Sequence, residues 1–132
     1  MSAQESKQSL KKIAANRSVL CVEDETLARE AMVEVLSRYF ANVMEAENGE
    51  VGLSLYKEHA FDVVISDLTM PVMNGLIMAH AIKMRNPKQK IVIVSGHNEE
   101  DYLRVLSNIG IEDVILKPLD MNVLIAVLLK IL

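Results

Sequence analysis

Short apolar runs alternate with longer segments of helical spacing along most of this chain. The runs are rich in β-branched residues, which is typical of strands buried on both faces. The longer segments repeat apolar residues every three or four positions, as helices do. Because strands that alternate with helices connect by right-handed crossovers, the pattern predicts a parallel sheet in an α/β fold. The predicted strands cover residues 18–22, 43–46, 62–66, 90–94 and 113–116.

A helix is predicted after each strand. The last one, residues 120–132, is apolar on almost every face, whereas a helix packed on a sheet needs one apolar stripe. Part of its outer surface should therefore be exposed and form an interface. The alternatives are that the first 17 residues fold back over it or that the helix continues into a further domain. The other four helices are marked by apolar residues within 27–39, 51–56, 76–82 and 102–109.

The first 17 residues differ in charge from the rest. Four basic residues accompany the single acid Glu5, so residues 1–17 carry a net charge of +3, and residues 18–132 carry −7. We predict that 1–17 is a polar, basic leader or linker, with helical spacing over Ser9–Ala15. Residues 18–132 are predicted to form one domain.

Composition removes several classes of protein. The 132 residues fit a single domain, and one cysteine, Cys21, makes neither an internal disulfide nor a cysteine-based zinc site. A reducing, cytoplasmic compartment is therefore expected. The net charge of −4 argues against direct contact with nucleic acid. No apolar run is long enough to span a membrane, and the polar N-terminus is not a signal peptide.

Polar side chains follow four of the predicted strands. The first strand is followed by the acids 23–25, the third by Asp67, the fourth by Ser95 and the fifth by Lys117. Open parallel sheets bind ligands beyond the carboxyl ends of their strands, at the switch point of the strand order. In a sheet ordered 2-1-3-4-5 that point lies between strands 1 and 3. Glu23, Asp24 and Asp67 should then converge on one pocket.

Three neighbouring carboxylates repel one another, so a cation is expected to offset them. Oxygen ligands of this kind suit Mg²⁺, and the three histidines have no spacing that would suit zinc. Lys117 could pair with a phosphoryl oxygen, Ser95 could donate a hydrogen bond, and aspartate is a known nucleophile toward phosphate. The set therefore predicts a site that receives a phosphoryl group. Taken singly, each residue has a simpler explanation, because the acids 23–25 could cap a helix and Asp67 could belong to a turn.

The acids 23–25 after a strand, SDLTMPVMNG at 66–75, VSG at 94–96 and LKP at 116–118 occur together in order. With these motifs, residues 18–132 resemble the receiver domain of two-component response regulators. The resemblance implies a flavodoxin-like (βα)5 fold, a doubly wound five-stranded parallel sheet of order 2-1-3-4-5. It also implies a phosphoacceptor switch rather than an enzyme with its own substrate.

The resemblance assigns a role to each matching residue. Asp67 would accept a phosphoryl group from the phosphohistidine of a sensor histidine kinase. Asp24 would bind Mg²⁺ directly, Glu23 would hold metal-bound water, and the carbonyl of Thr69 would complete the protein ligands together with Asp67. Ser95 would be the hydroxyl that reaches the phosphoryl group when the domain switches. Lys117 would pair with a phosphoryl oxygen, and Gly75 would begin the third helix.

Two positions depart from the family pattern. Val114 stands where an aromatic residue often acts as a rotating switch, and Gly96 replaces a common alanine. Switching would therefore use the loop after Ser95 and the fourth helix after a strand. The family also implies a cis Lys117–Pro118 bond. His97 stands out among the histidines because it lies two residues past Ser95.

Two rival functions remain. A Mg²⁺-dependent phosphohydrolase with an aspartyl phosphate would want a second aspartate two residues after the nucleophile, where this chain has Thr69. An interaction module that works without phosphorylation would not need the full set of acceptor, metal and lysine residues. A nucleotide-binding fold is weaker still, since no glycine-rich loop follows the first strand.

The output surface is predicted to be the face formed by the fourth helix after a strand, the fifth strand and the fifth helix. That face would form a homodimer or dock a partner. The chain ends at Leu132 inside the last predicted helix, so the domain either stands alone or belongs with a fused or separate effector domain.

Overall fold

A computed structural model describes residues 1–96 and 100–132. Within these residues, five parallel strands form one sheet in the order β2-β1-β3-β4-β5, as predicted. The strands are β1 (Ser18–Val22), β2 (Asn42–Ala46), β3 (Val63–Asp67), β4 (Lys90–Ser95) and β5 (Asp113–Leu116). The helices are α1 (Ala3–Ala14), α2 (Thr26–Leu36), α3 (Gly49–Glu58), α4 (Gly75–Arg85), α5 (Glu100–Asn108) and α6 (Met121–Ile131).

The predicted strands are confirmed, and three of them differ by one residue. β2 begins one residue earlier than predicted, and β3 runs from 63 to 67 instead of 62 to 66. Asp62 stays outside the strand, where its carboxylate accepts a hydrogen bond from the Ser18 amide at 2.8 Å. β4 extends to Ser95, which pairs with Leu116 of β5. Asp67 and Ser95 are thus the last residues of their strands, so the strand ladder itself sets their positions.

Alternate residues of the central strands point to opposite faces of the sheet, and each face has an apolar core. On one face Cys21 and Ile65 pack with Leu124 and Leu128 of α6. On the other face the central strands pack with α4 and α5, through residues such as Met78 and Leu106. Burial of both faces explains why the strands are almost continuously apolar.

Helix α1 begins earlier than the predicted segment 9–15 because it has a complete capping box. The Ser2 hydroxyl accepts from the Glu5 amide, and the Glu5 carboxylate accepts from the Ser2 amide. Leu10 and Ala14 are fully buried in the same apolar cluster as α6. Residues 1–17 therefore include a helix that covers part of α6, which is one of the alternatives left open for that surface. The division of the chain at residue 18 stays a prediction.

Candidate functional site

Three carboxylates meet at the carboxyl end of the sheet, where the strand order reverses. One oxygen each from Glu23, Asp24 and Asp67 lies within 4.8 Å of the others. Glu23 follows β1 and Asp67 ends β3, so the pairing of these two strands brings the acids together. Glu23 and Asp67 are each only 8% exposed, whereas Asp24 is exposed. The predicted convergence of these three residues is therefore present.

The two oxygens of Asp67 have different partners. Oδ1 accepts from the Leu68 amide at 2.8 Å, and Oδ2 lies 3.1 Å from Nζ of Lys117. The amide belongs to the next residue of the same chain segment, whereas Lys117 arrives from the end of β5 on a flexible side chain. The carboxylate is thus held by a backbone amide on one oxygen and by the ammonium of a long side chain on the other.

Lys117 connects the acids electrostatically. Its Nζ lies 3.1 Å from Asp67 and 3.5 Å from Glu23. Partial burial acts to lower the pKa of Lys117, but the hydrogen bond and the charge of Asp67, aided by Glu23, outweigh burial and raise it. Burial and the nearby charge of Asp67 raise the pKa of Glu23. One lysine therefore offsets only part of the repulsion among three carboxylates.

Glu25 has a different role from its two neighbours. It is the N-cap of α2, and its carboxylate accepts from the amides of Leu27 and Ala28 at 3.2 and 3.0 Å. The helix-capping explanation is therefore correct for Glu25, but Glu23 and Asp24 point into the acidic cluster.

The loop between β3 and α4 is folded back tightly on Asp67. The Gly75 amide donates to the Leu68 carbonyl at 2.8 Å, and a Cβ at Gly75 would collide with the Asp67 carbonyl oxygen. Only glycine fits this approach, and α4 begins there as expected. Thr69 is exposed in this loop.

Val72, at the tip of the same loop, was not identified from the sequence. It has a φ of 67°, and the Met73 amide donates to the Pro71 carbonyl across it at 2.8 Å. A β-branched residue in this left-handed region is strained.

Ser95 is buried at the end of β4, and its carbonyl accepts from the Lys117 amide at 2.8 Å. This bond ties the two strand ends together beside Asp67. The Lys117–Pro118 bond is cis, as the resemblance implied. Val114 is half-buried opposite Ile93 of β4. His97 lies outside the described residues.

A cavity of about 510 Å³ adjoins the cluster on the side of α2. Glu23, Asp67 and Lys117 share its lining with apolar residues of α2 and β1. Leu36 is the single fully buried residue of α2, and Met32 and Val33 of the same helix are partly buried against the core of that face. The cavity leaves open space beside Asp67 and Lys117.

Arg29 is a second residue that the motifs did not single out. Its Nη1 donates to the Glu23 carbonyl at 2.8 Å, and its Nε lies 3.2 Å from Glu45 on β2. The available signal was an arginine at the fourth position of the first helix after the acids.

A model of the response regulator receiver domain matches residues 19–129. The chain belongs to this family. Its fold and the arrangement of acids and lysine at the strand ends agree with the predicted receiver domain of two-component signalling. Helix α1 lies outside the matched residues.

Relatives and solved structures carry the same domain. The chemotaxis protein CheY of Bacillus subtilis is 33% identical over 101 residues, which cover 76% of this chain and 84% of that protein. The chemotaxis protein CheY4 of Vibrio cholerae superposes with a TM-score of 0.83 at 26% identity, over 89% of this chain and all of that one. The N-terminal domain of a Wolinella succinogenes protein gives a TM-score of 0.81 at 33% identity, over 89% of this chain and 94% of that domain.

Some relatives are much longer. A cyclic di-GMP phosphodiesterase of Thermotoga maritima is 34% identical over 107 residues, which are 81% of this chain and 28% of that protein. The chain covers 12% of the sensor kinase/phosphatase LuxN of Vibrio harveyi. Receiver domains thus occur both as nearly whole proteins and as parts of larger ones. Among the described residues, the helices are all too short or too polar to cross a membrane.

Proposed function

We propose that Asp67 is the phosphoacceptor of this receiver domain and that a sensor histidine kinase supplies the phosphoryl group. The observation that carries the proposal is the convergence of Lys117 and two further carboxylates on a buried Asp67 at the switch point of the sheet. Carboxylates buried at this distance from one another are unfavourable unless a cation or a reaction requires them.

In the transfer, an Asp67 oxygen attacks phosphorus and the phosphorus–nitrogen bond of the donor's phosphohistidine breaks. The electron pair of that bond stays on the histidine nitrogen, and Asp67 becomes an acyl phosphate. Lys117 then moves from its pairing with Oδ2 to a phosphoryl oxygen, where its charge offsets the added negative charge. The Ser95 hydroxyl donates a hydrogen bond to another phosphoryl oxygen.

Mg²⁺ is the cofactor that fits this set of donors. Asp24 and Asp67 would bind it directly, Glu23 would hold its bound water, and the Thr69 carbonyl would complete the protein ligands. Oxygen donors of mixed carboxylate and carbonyl type suit a hard divalent cation. When bound, Mg²⁺ supplies positive charge that offsets both the carboxylates and the incoming phosphoryl oxygens.

The acceptor is tested with acetyl phosphate and Mg²⁺, followed by intact-protein mass spectrometry. The wild type should gain one phosphate, and Asp67→Asn should gain none because the amide is not a nucleophile. Asp101→Asn is the matched control, since Asp101 is an exposed aspartate that pairs with Arg104 on α5. Full labelling of Asp67→Asn would refute the assignment.

The metal site is tested separately by Asp24→Ala. Loss of a direct ligand should weaken Mg²⁺ binding by more than about tenfold and slow phosphorylation in parallel. The metal-free variant should melt at a higher temperature, because one of three repelling carboxylates is gone. Unchanged Mg²⁺ affinity, measured by calorimetry, would remove Asp24 from the ligand set.

The phosphohydrolase alternative is disfavoured at the same site. Thr69 holds the position where such an enzyme would need a second aspartate, so the domain is proposed to be a switch and not an enzyme with its own substrate. Turnover of a phosphomonoester by the purified protein would support the phosphohydrolase.

A cytoplasmic location also stays a prediction.

We further propose that the face formed by α5, β5 and α6 carries the output, either as a homodimer or as a docking surface for a fused or separate effector. Its support is a set of exposed apolar side chains, Tyr102, Val105, Leu116 and Val123. Sedimentation of the wild type and of Val105→Glu, each with and without phosphodonor, tests the homodimer. A wild type that stays monomeric at high concentration in both states would exclude it.

A further inference from the structure

Arg29 contacts the loop that carries the acidic cluster through its backbone. Its guanidinium donates from Nη1 to the carbonyl of Glu23 at 2.8 Å. The side chain is only 14% exposed, so this hydrogen bond is shielded from water. A charge-assisted bond to a carbonyl in such surroundings is stronger than one at the surface.

The guanidinium is itself anchored on the sheet. Its Nε lies 3.2 Å from Oε1 of Glu45, which is paired with Cys21 across β1 and β2. Arg29 therefore connects three elements. Its backbone lies in α2, and its guanidinium hydrogen-bonds to Glu45 of β2 and to the carbonyl of Glu23, the residue that follows β1. A lysine has no second donor group with which to hold both acceptors in one plane.

The hydrogen bond from Arg29 to the Glu23 carbonyl lies where the regular pairing of β1 with β2 stops. The Glu23 amide donates to the Ala46 carbonyl at 3.0 Å, the last residue of β2. Beyond it, the chain turns toward α2, and Glu25 is held by its capping bonds to the amides of that helix. Between these two points Arg29 holds the Glu23 carbonyl, which belongs to the peptide bond that joins Glu23 to Asp24.

We propose that Arg29 is a positioning residue for the acidic cluster: by holding the Glu23 carbonyl, it sets where the carboxylates of Glu23 and Asp24 stand relative to Asp67. The proposal rests on the proposed function as far as the metal is concerned. The hydrogen bonds of Arg29 go to Glu45 and to the Glu23 carbonyl, so it is proposed to act through the loop.

The test measures binding of Mn²⁺ alone by electron paramagnetic resonance, without any phosphodonor. Arg29→Met keeps the apolar stem and removes both hydrogen bonds, and Mn²⁺ affinity should fall by about tenfold, the usual scale for losing a group that orients metal ligands. Arg38→Met is the matched control just after the same helix, because Arg38 is exposed and pairs with Glu34 at the surface. Its Mn²⁺ affinity should equal that of the wild type.

A second readout separates positioning from simple loss of stability. In acetyl phosphate labelling, Arg29→Met should need more Mg²⁺ for half-maximal rate but should approach the wild-type rate at saturating Mg²⁺. A folded Arg29→Met protein with wild-type Mn²⁺ affinity would overturn the proposal, whatever its melting temperature. If Arg29→Met does not fold, Arg29→Gln decides in the same way.

Failure of the proposed function gives a different pattern. If Asp67→Asn is still labelled while Arg29→Met weakens Mn²⁺ binding, the acceptor is wrong and the role of Arg29 stands. If the wild type binds no Mn²⁺ at all, the metal site is refuted and the role of Arg29 falls with it.

Discussion

The ammonium of Lys117 lies 3.1 Å from Oδ2 of Asp67, although the two residues are 50 positions apart in the chain. Lys117 is also 3.5 Å from Glu23, so it is the cation shared by two of the three clustered carboxylates. The pairing joins the ends of β3 and β5 across β4. In the proposed transfer, this same ammonium is the group that must move to the phosphoryl oxygens.

Replacement of Lys117 should therefore affect chemistry more than folding. Lys117→Met should slow phosphorylation by acetyl phosphate by about 100-fold, as loss of a donor to developing charge does in other sites. Lys130→Met is the control, because Lys130 of α6 pairs with Asp113 of β5 at 2.6 Å and does not belong to the acidic cluster. Rates from mass spectrometry that match for the two variants would contradict the role of Lys117.

Glu23 should make the metal-free protein less stable at neutral pH. Its pKa is raised by burial and by Asp67, so the folded state holds its proton more tightly than the unfolded state does. The stability linked to that proton is present at low pH and is lost as the pH rises through the raised pKa. Glu23→Gln, which stays neutral, should therefore raise the free energy of unfolding at pH 7.

The gain from Glu23→Gln should shrink as the pH falls, because wild-type Glu23 then becomes neutral as well. Urea unfolding of both proteins in a metal-chelating buffer between pH 4 and pH 7 measures the difference. A gain that stays constant, or grows toward low pH, would show that Glu23 is not the source of the penalty.

Gly75 and Gly96 should respond differently to replacement by alanine. A Cβ at Gly75 would collide with the Asp67 carbonyl, whereas a Cβ at Gly96 would be 3.8 Å from the Lys117 side chain, an ordinary contact. Gly75→Ala should lower the free energy of unfolding by about 1–3 kcal/mol and disturb the acceptor. Gly96→Ala should be close to neutral in urea unfolding, and equal losses for the two variants would contradict the model of a tight turn at Gly75.

Val72→Asn should stabilise the protein. Val72 is 75% exposed, so little packing is lost, and asparagine accepts a positive φ more readily than a β-branched residue does. We expect a gain of about 1 kcal/mol in thermal or urea unfolding. Val105→Asn on α5 is the control, because Val105 is also exposed but lies in a regular helix, and it should not be stabilised.

Leu10→Ala tests whether α1 is part of the folded core. Leu10 is fully buried with Leu124 and Leu128 of α6, so its truncation should cost about 2–5 kcal/mol in free energy of unfolding. Lys11→Ala, on the exposed side of the same helix, should be nearly neutral. A Leu10→Ala protein as stable as the wild type would show that residues 1–17 are a dispensable leader.

The sequence by itself determined the positions of the strands and the residues of the acidic cluster, and its resemblance to receiver domains implied the strand order. Strands buried on both faces leave a local apolar signature, and Glu23, Asp24, Asp67 and Lys117 stand directly at strand ends, where the rules of parallel sheets bring them together. Sequence patterns of this kind depend on neighbouring positions only. Thr69 stands where an aspartyl-phosphate phosphohydrolase would need a second aspartate, which disfavours that rival.

The tertiary structure decided what depends on contacts between distant segments. Helix α1 looked like a polar leader because its burial rests on Leu10 and Ala14 alone, and the surface that they cover belongs to α6 at the other end of the chain. Arg29 carried no motif, since its partners, the Glu23 carbonyl and Glu45, are set by the packing of α2 on β1 and β2. Every residue has a backbone carbonyl, so the sequence does not show which side chain hydrogen-bonds to a particular one. That partner is known only from the folded chain.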